Sequence, residues 1–147
     1  MTKEELKDRG AIFFEKITEG LENYQDLKLV MDQKKAQAHF AGLKKEYGAE
    51  NAFADFYYFC LDEGAREMVD EELTADEISY LQLLKPLDDP EEELIFPLED
   101  KLLRIITKLN AEEVLFSTIY FLEGGGRART TWWGNYDKEY ICFRDKK

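Results

Sequence analysis

The densest run of ionisable side chains lies between positions 62 and 77, where Asp62, Glu63, Glu67, Asp70, Glu71, Glu72, Asp76 and Glu77 accompany a single base, Arg66. On a helix, Glu63, Glu67, Asp70 and Glu71 project to one side, with a rise of about 1.5 Å per residue. Carboxylates three or four residues apart repel by a few tenths of a kcal/mol per pair. An isolated molecule gains nothing from such a row, whereas a basic partner offsets the repulsion. Duplex DNA presents one charge per about 1.7 Å of axis, so a row of this kind could occupy a nucleic-acid channel on another protein, with electrostatic steering of the encounter. The plainer reading of the same acids is a solvated face that serves solubility.

A second constellation is the stretch GGGRARTTWWGNYDKEY, residues 124 to 140. Side chains alternate along a strand, which puts Arg127, Arg129, Thr131 and Trp133 on one face and Ala128, Thr130 and Trp132 on the other. Assigning Ile141 and Phe143 to the Trp132 face makes Trp132 the core residue and leaves Trp133 exposed. Arg127, Arg129, Trp133 and Tyr136 then have the composition of an interface hot spot. The intramolecular alternative pairs the arginines with the chain's own acids and stacks Trp133 under Lys138. The three glycines lack the spacing and the Lys-Ser or Lys-Thr of a phosphate loop and read as a turn.

Other chemistries find little support. His39 is the only histidine, and it has no zinc-ligand spacing around it and no marked nucleophile to activate. The acidic stretches lack the alternating ligands of an EF-hand loop. A carboxylate pair working as acid and base is recognised by environment and not by count, so no catalytic residue is assigned. No metal and no cofactor is expected, and the chain reads as an interaction protein before an enzyme.

Positioning these groups calls for a mainly helical scaffold. Thr2 and Glu5 form a capping box before a helix from about 3 to about 22. A second helix is expected from Asp26 to Tyr47, ending at Gly48, with LKLVM at 27 to 31 as an alternative strand. A third, about 50 to 69, carries the acidic row. Thr74 and Glu77 open a fourth that Pro86 stops. Residues 88 to 97 read as a linking loop, and Leu98, Leu102, Ile105, Ile106 and Leu109 define helix five. Asn110 would cap one more helix through VLFSTIYFL, a segment whose β-branched and aromatic content also suits a strand. The expected fold is mostly α, within the α+β class: one domain over 1–147, with a body of five or six helices at about 1–123 closed by a C-terminal antiparallel β-hairpin at about 127–144.

Bulk properties fit that picture. The 147 residues are 44% hydrophobic with 14% aromatics, enough apolar surface for one core. No apolar run approaches the roughly 18 residues of a membrane span, and MTKEELKDRG does not resemble a secretion signal. Cys60 and Cys142 read as reduced thiols. A cytoplasmic location is therefore expected.

The net charge of −12 is unevenly spread. Residues 1 to 45 carry nine bases and eight acids, 46 to 123 carry five and 21, and 124 to 147 carry six and three. A middle this negative disfavours direct nucleic-acid binding. The sequence thus points to a small acidic protein–protein interaction module, an inhibitor or regulator covering a basic, nucleic-acid-binding surface of a partner protein. A small-ligand-binding module or enzyme built on the Trp/Tyr/Arg hairpin is the alternative.

Overall fold

The computed structural model describes residues 1–146; Lys147, the last residue of the expected domain, lies outside the described residues. In chain order the elements are α1 (Lys3–Asp8), α2 (Ile17–Asn23), β1 (Gln25–Val30), α3 (Gln33–Tyr47), β2 (Ala52–Asp55), α4 (Glu63–Asp70), α5 (Ala75–Leu84), β3 (Ile95–Pro97), α6 (Asp100–Ala111), β4 (Thr118–Phe121), β5 (Thr130–Gly134) and β6 (Glu139–Arg144). Short 3-10 turns at Ala49–Asn51 and Tyr58–Cys60 flank β2. The six strands form one antiparallel sheet in the order β1-β6-β5-β4-β2-β3. No helix among the described residues is long and apolar enough to cross a membrane.

This sheet overturns the expected helical body with a hairpin at its end. The hairpin exists as β5 and β6, but it pairs on one side with β1 and on the other with β4, which leads on to β2 and β3. The physical reason is that both faces of the sheet are covered. On one face, Ala36, Phe40, Leu43 and Tyr47 of α3 and Leu102, Ile105, Ile106 and Leu109 of α6 pack on Ala52, Ala54, Ile119, Phe121, Trp132 and Cys142. On the other, Leu6 and Ala11 cover Phe53, Ile95, Tyr120 and Leu122, while Ile12 and Phe14 cover Ile141 and Phe143. Central strands buried on both sides lose the apolar-polar alternation that marks a half-exposed strand, and a short apolar run then reads equally well as a buried helix. All four residues of β2, and three of the four in β4, are buried.

Local chemistry explains where the helices stop. The Thr2–Glu5 box forms, each side chain accepting the other's backbone N–H at 3.1 Å. Gly10 then takes a φ of +99°, outside any right-handed helix, so the helix expected to about residue 22 breaks into α1, an irregular strap and α2. The 26–47 helix resolves into strand β1 and helix α3, which Asp32 caps by accepting the Lys35 N–H at 2.8 Å. Asn110 does not open a new helix. Buried at the end of α6, its Oδ1 accepts the Ser117 N–H and its Nδ2 donates to the Tyr140 hydroxyl, both at 3.1 Å, tying α6 to the sheet.

The glycine run is a turn, closed by Gly124 and Arg127 exchanging backbone hydrogen bonds. Gly125 holds a φ of +58° with its Cα against the Glu46 carbonyl, where any Cβ would collide. Gly125→Ala should therefore lower stability by about 1–3 kcal/mol although the site is exposed. Gly42→Ala, in open space on α3, should raise it by about 0.5–1 kcal/mol. Urea denaturation of both variants checks the pair of signs.

Candidate functional site

The acidic row sits on α4 and just beyond it. Asp62 caps the helix, accepting the Ala65 N–H at 2.8 Å, and Val69 faces the core. Glu63, Glu67 and Glu71 are exposed. Asp70 is half-buried, and its Oδ1 accepts the Tyr58 hydroxyl at 2.6 Å. Burial, reinforced by that carboxylate, pushes the Tyr58 hydroxyl up to about 12.

Arg66, the one base in the segment, leaves its acidic neighbours unpaired. Its guanidinium lies over the Tyr58 ring at 5.5 Å from the centroid, and its Nη2 donates to the Leu61 carbonyl at 3.2 Å. Among the described residues no ion pair involves Glu63, Glu67, Asp70, Glu71 or Glu72. The acids of α5 differ. Glu77 is buried against Lys108, and Asp76 lies 3.6 Å from Lys101. Burial alone would raise the Glu77 carboxyl, yet Lys108 and the Thr74 N–H hold it below the usual carboxylate range.

A second acidic element adjoins the row. The Cys60 thiol, just before α4, donates to the Pro90 carbonyl at 3.1 Å, which sets Asp88, Asp89, Glu91 and Glu92 beside the start of that helix. Two apolar side chains next to these acids in sequence are exposed, Met68 beside Glu67 at 63% and Leu87 beside Asp88 entirely.

The hairpin residues are arranged differently. Arg127 pairs with Glu46 at 2.7 Å and lies over the Tyr47 ring. Arg129 clamps Asp145 through Nε at 2.9 Å and Nη2 at 2.7 Å, and also donates to the Gly10 carbonyl. The strand register sets Trp133 opposite Ile141 and Thr131 opposite Phe143, so Ile141 and Phe143 share the Trp133 face and not, as the alternation suggested, the Trp132 face. Both tryptophans consequently pack inward on opposite sides of the sheet. Trp132 meets Phe40 and His39 edge-on, and Trp133 stacks on Phe14 at 5.3 Å. Tyr136 remains 62% exposed, touching the Phe116 ring. Burial holds the half-exposed His39 below its usual range, and the described residues contain no cluster of three groups able to hold a metal.

Trp133 also walls a pocket of about 230 Å3 that the sequence did not disclose. It opens where the N-terminal strap ends, between Lys3 of α1 and Glu15 of the strap on one side and Asp55, Tyr120 and, just beyond β2, Tyr57 on the other. Lys3 Nζ lies 3.7 Å from Glu15 and 5.4 Å from the Tyr57 ring centroid. Asp55 is buried, and its Oδ1 accepts the Thr118 N–H at 2.7 Å. Burial pushes its carboxyl up to about 7, against the opposing pull of Thr118 and Lys3. The available signal was Asp55, one acid in the otherwise apolar run AFADF.

A carboxyl raised in the folded state makes that state hold more protons than the unfolded chain between the two pKa values. The contribution of Asp55 to stability is thus full below its ordinary value of 3.8 and is lost as pH rises through about 7. Asp55→Asn should accordingly stabilise the protein by an increment that grows by about 3 kcal/mol between about pH 5 and about pH 8. Denaturant titrations of both proteins at the two pH values measure it, and an increment independent of pH would show that Asp55 ionises normally. No family model, curated protein or solved structure matches this chain.

Proposed function

We propose that this protein is a small acidic interaction module, an inhibitor or regulator that seats the α4 row and the loop at 88–92 on a basic, nucleic-acid-binding surface of a partner protein. The observation that carries this reading is the orientation of Arg66: the single cation within the row is spent on Tyr58 and Leu61, so the carboxylates of Glu63, Glu67 and Glu71 face solvent uncompensated. Successive carboxylates at four-residue spacing stand about 6 Å apart along the helix, and the adjoining loop adds charge beside them. Met68, a flexible thioether among the acids, supplies an apolar contact that adapts to its partner.

The test is capture of binding proteins from lysate by the immobilised chain, with elution by salt and by duplex DNA. Captured proteins should elute between about 0.05 and about 0.5 M salt and be displaced by the duplex. The variant Glu63→Lys/Glu67→Lys/Glu71→Lys should capture none of them. Capture indifferent to both salt and charge reversal would refute the assignment.

A second reading rests on the pocket beside Trp133, whose aromatic walls and buried Asp55 suit a small planar molecule with hydrogen-bonding edges. Such a ligand would change tryptophan fluorescence on binding, and both Trp133→Ala and Asp55→Asn should weaken its affinity at least about tenfold.

A further inference from the structure

The two edges of the sheet are finished differently. At the β3 edge, Met1 adds a further pairing: its amine donates to the Ile95 carbonyl at 3.1 Å, and the Ile95 N–H donates back to the Met1 carbonyl at 3.0 Å. Pro97 carries no N–H at all. Little of that three-residue strand is left to pair.

The β1 edge has six residues and no such cover. Because the Met31 N–H donates to the Lys138 carbonyl at 2.9 Å and antiparallel bonding alternates, Gln25, Leu27 and Leu29 direct their backbone groups to β6. Those of Asp26, Lys28 and Val30 point outward, and none has a hydrogen-bond partner among the described residues. Leu27 is 54% exposed and Val30 66%. An open edge of this length is a template for another strand.

We propose that a second copy of this chain occupies that edge, β1 pairing antiparallel with β1 across a two-fold axis at Leu27. The strand QDLKLV is self-complementary in this register. Asp26 falls opposite Lys28 of the second copy, and Lys28 opposite its Asp26, so an unlike pair forms on each side of the axis. These are the positions whose N–H and C=O groups point outward, so each of the two pairs exchanges two backbone hydrogen bonds. Leu27 meets Leu27 of the second copy in the closer, non-hydrogen-bonded position. Asp26 and Lys28 lie opposite Phe143 and Ile141, on the strap side, and Leu27 lies on the α3 side, so ion pairs and apolar pair occupy separate faces.

The charge layout permits the approach. β1, α3, β5 and β6 come from segments with nine bases against eight acids and six against three. The uncompensated row and the 88–92 loop lie towards the β3 end, tied to it by the Phe56 N–H bonding the Leu94 carbonyl and by the Phe59–Phe96 ring contact. Pairing at β1 keeps the negative ends of the two copies at the far sides of one continuous twelve-stranded sheet.

Sedimentation equilibrium of the full chain tests the proposal. Dimerisation is expected to rise with concentration. Asp26→Lys alone, or Lys28→Asp alone, sets like charges opposite each other at both pairs and should weaken the dimer about tenfold or more. The combined swap Asp26→Lys/Lys28→Asp should restore it to within about threefold. Amide exchange at Asp26 and Lys28 should slow as the dimer fills, with exposed amides away from β1 unchanged. A chain that stays monomeric throughout, or a dimer that the single reversals leave intact, would overturn the proposal. So would single reversals that the swap fails to rescue.

Discussion

The sheet can exist only if its second face is kept from water, and that duty falls on the first twenty-four residues. The strap between α1 and α2 is fixed by one buried hydrogen bond, from the Thr131 hydroxyl to the Ile12 carbonyl at 2.7 Å, and by Phe14 stacked on Trp133. Arg129, reaching the Gly10 carbonyl, pins its near end. Beneath lie Phe53, Tyr120, Ile141 and Phe143, each worth about 1.5–3 kcal/mol when buried. The inward turn of both tryptophans follows from this cover, and so does the pocket at Asp55, which opens where the cover ends.

The same constraint decides what could be read from the residue pattern. Features governed by neighbours a few positions away were legible: both capping boxes formed, α3 ends at Gly48, Pro86 follows α5, the apolar stripe of 102–109 lies in α6, and the tight turn joins β5 to β6. What failed depends on remote partners. Nothing local distinguishes AFAD from a helical turn, because its strand character comes from β3 and β4 pairing on either side and from covers on both faces. VLFSTIYFL was open between helix and strand for the same reason. Of the helix expected over about 50–69 only its end is helical, as α4, which carries Glu63, Glu67 and Asp70, with Glu71 just beyond and Asp70 turned to Tyr58. The pocket required knowing that Asp55 shares its walls with Lys3 and Glu15, residues forty and more positions away.

Electrostatically the fold is a molecule with two ends. Some cations of the near-neutral half are committed to the chain's own carboxylates: Lys44 to Asp100, Arg127 to Glu46, Arg129 to Asp145. In the acidic half, α5 is neutralised from α6 while α4 is not, although the two helices are consecutive. The proposed docking of the α4 row rests on that contrast: Lys101 and Lys108 of α6 stand against Asp76 and Glu77, and among the described residues no lysine pairs with the acids of α4.

The two thiols have unequal surroundings. Cys142 is buried in the sheet, where its sulfhydryl is pushed up to about 11, whereas Cys60 is exposed on the 3-10 turn leading into α4. Maleimide chemistry on the native chain would therefore modify one site, placing a fluorophore or spin label at the margin of the carboxylate row without mutagenesis. The unmodified sequence already offers a spectroscopic handle on whatever approaches that helix.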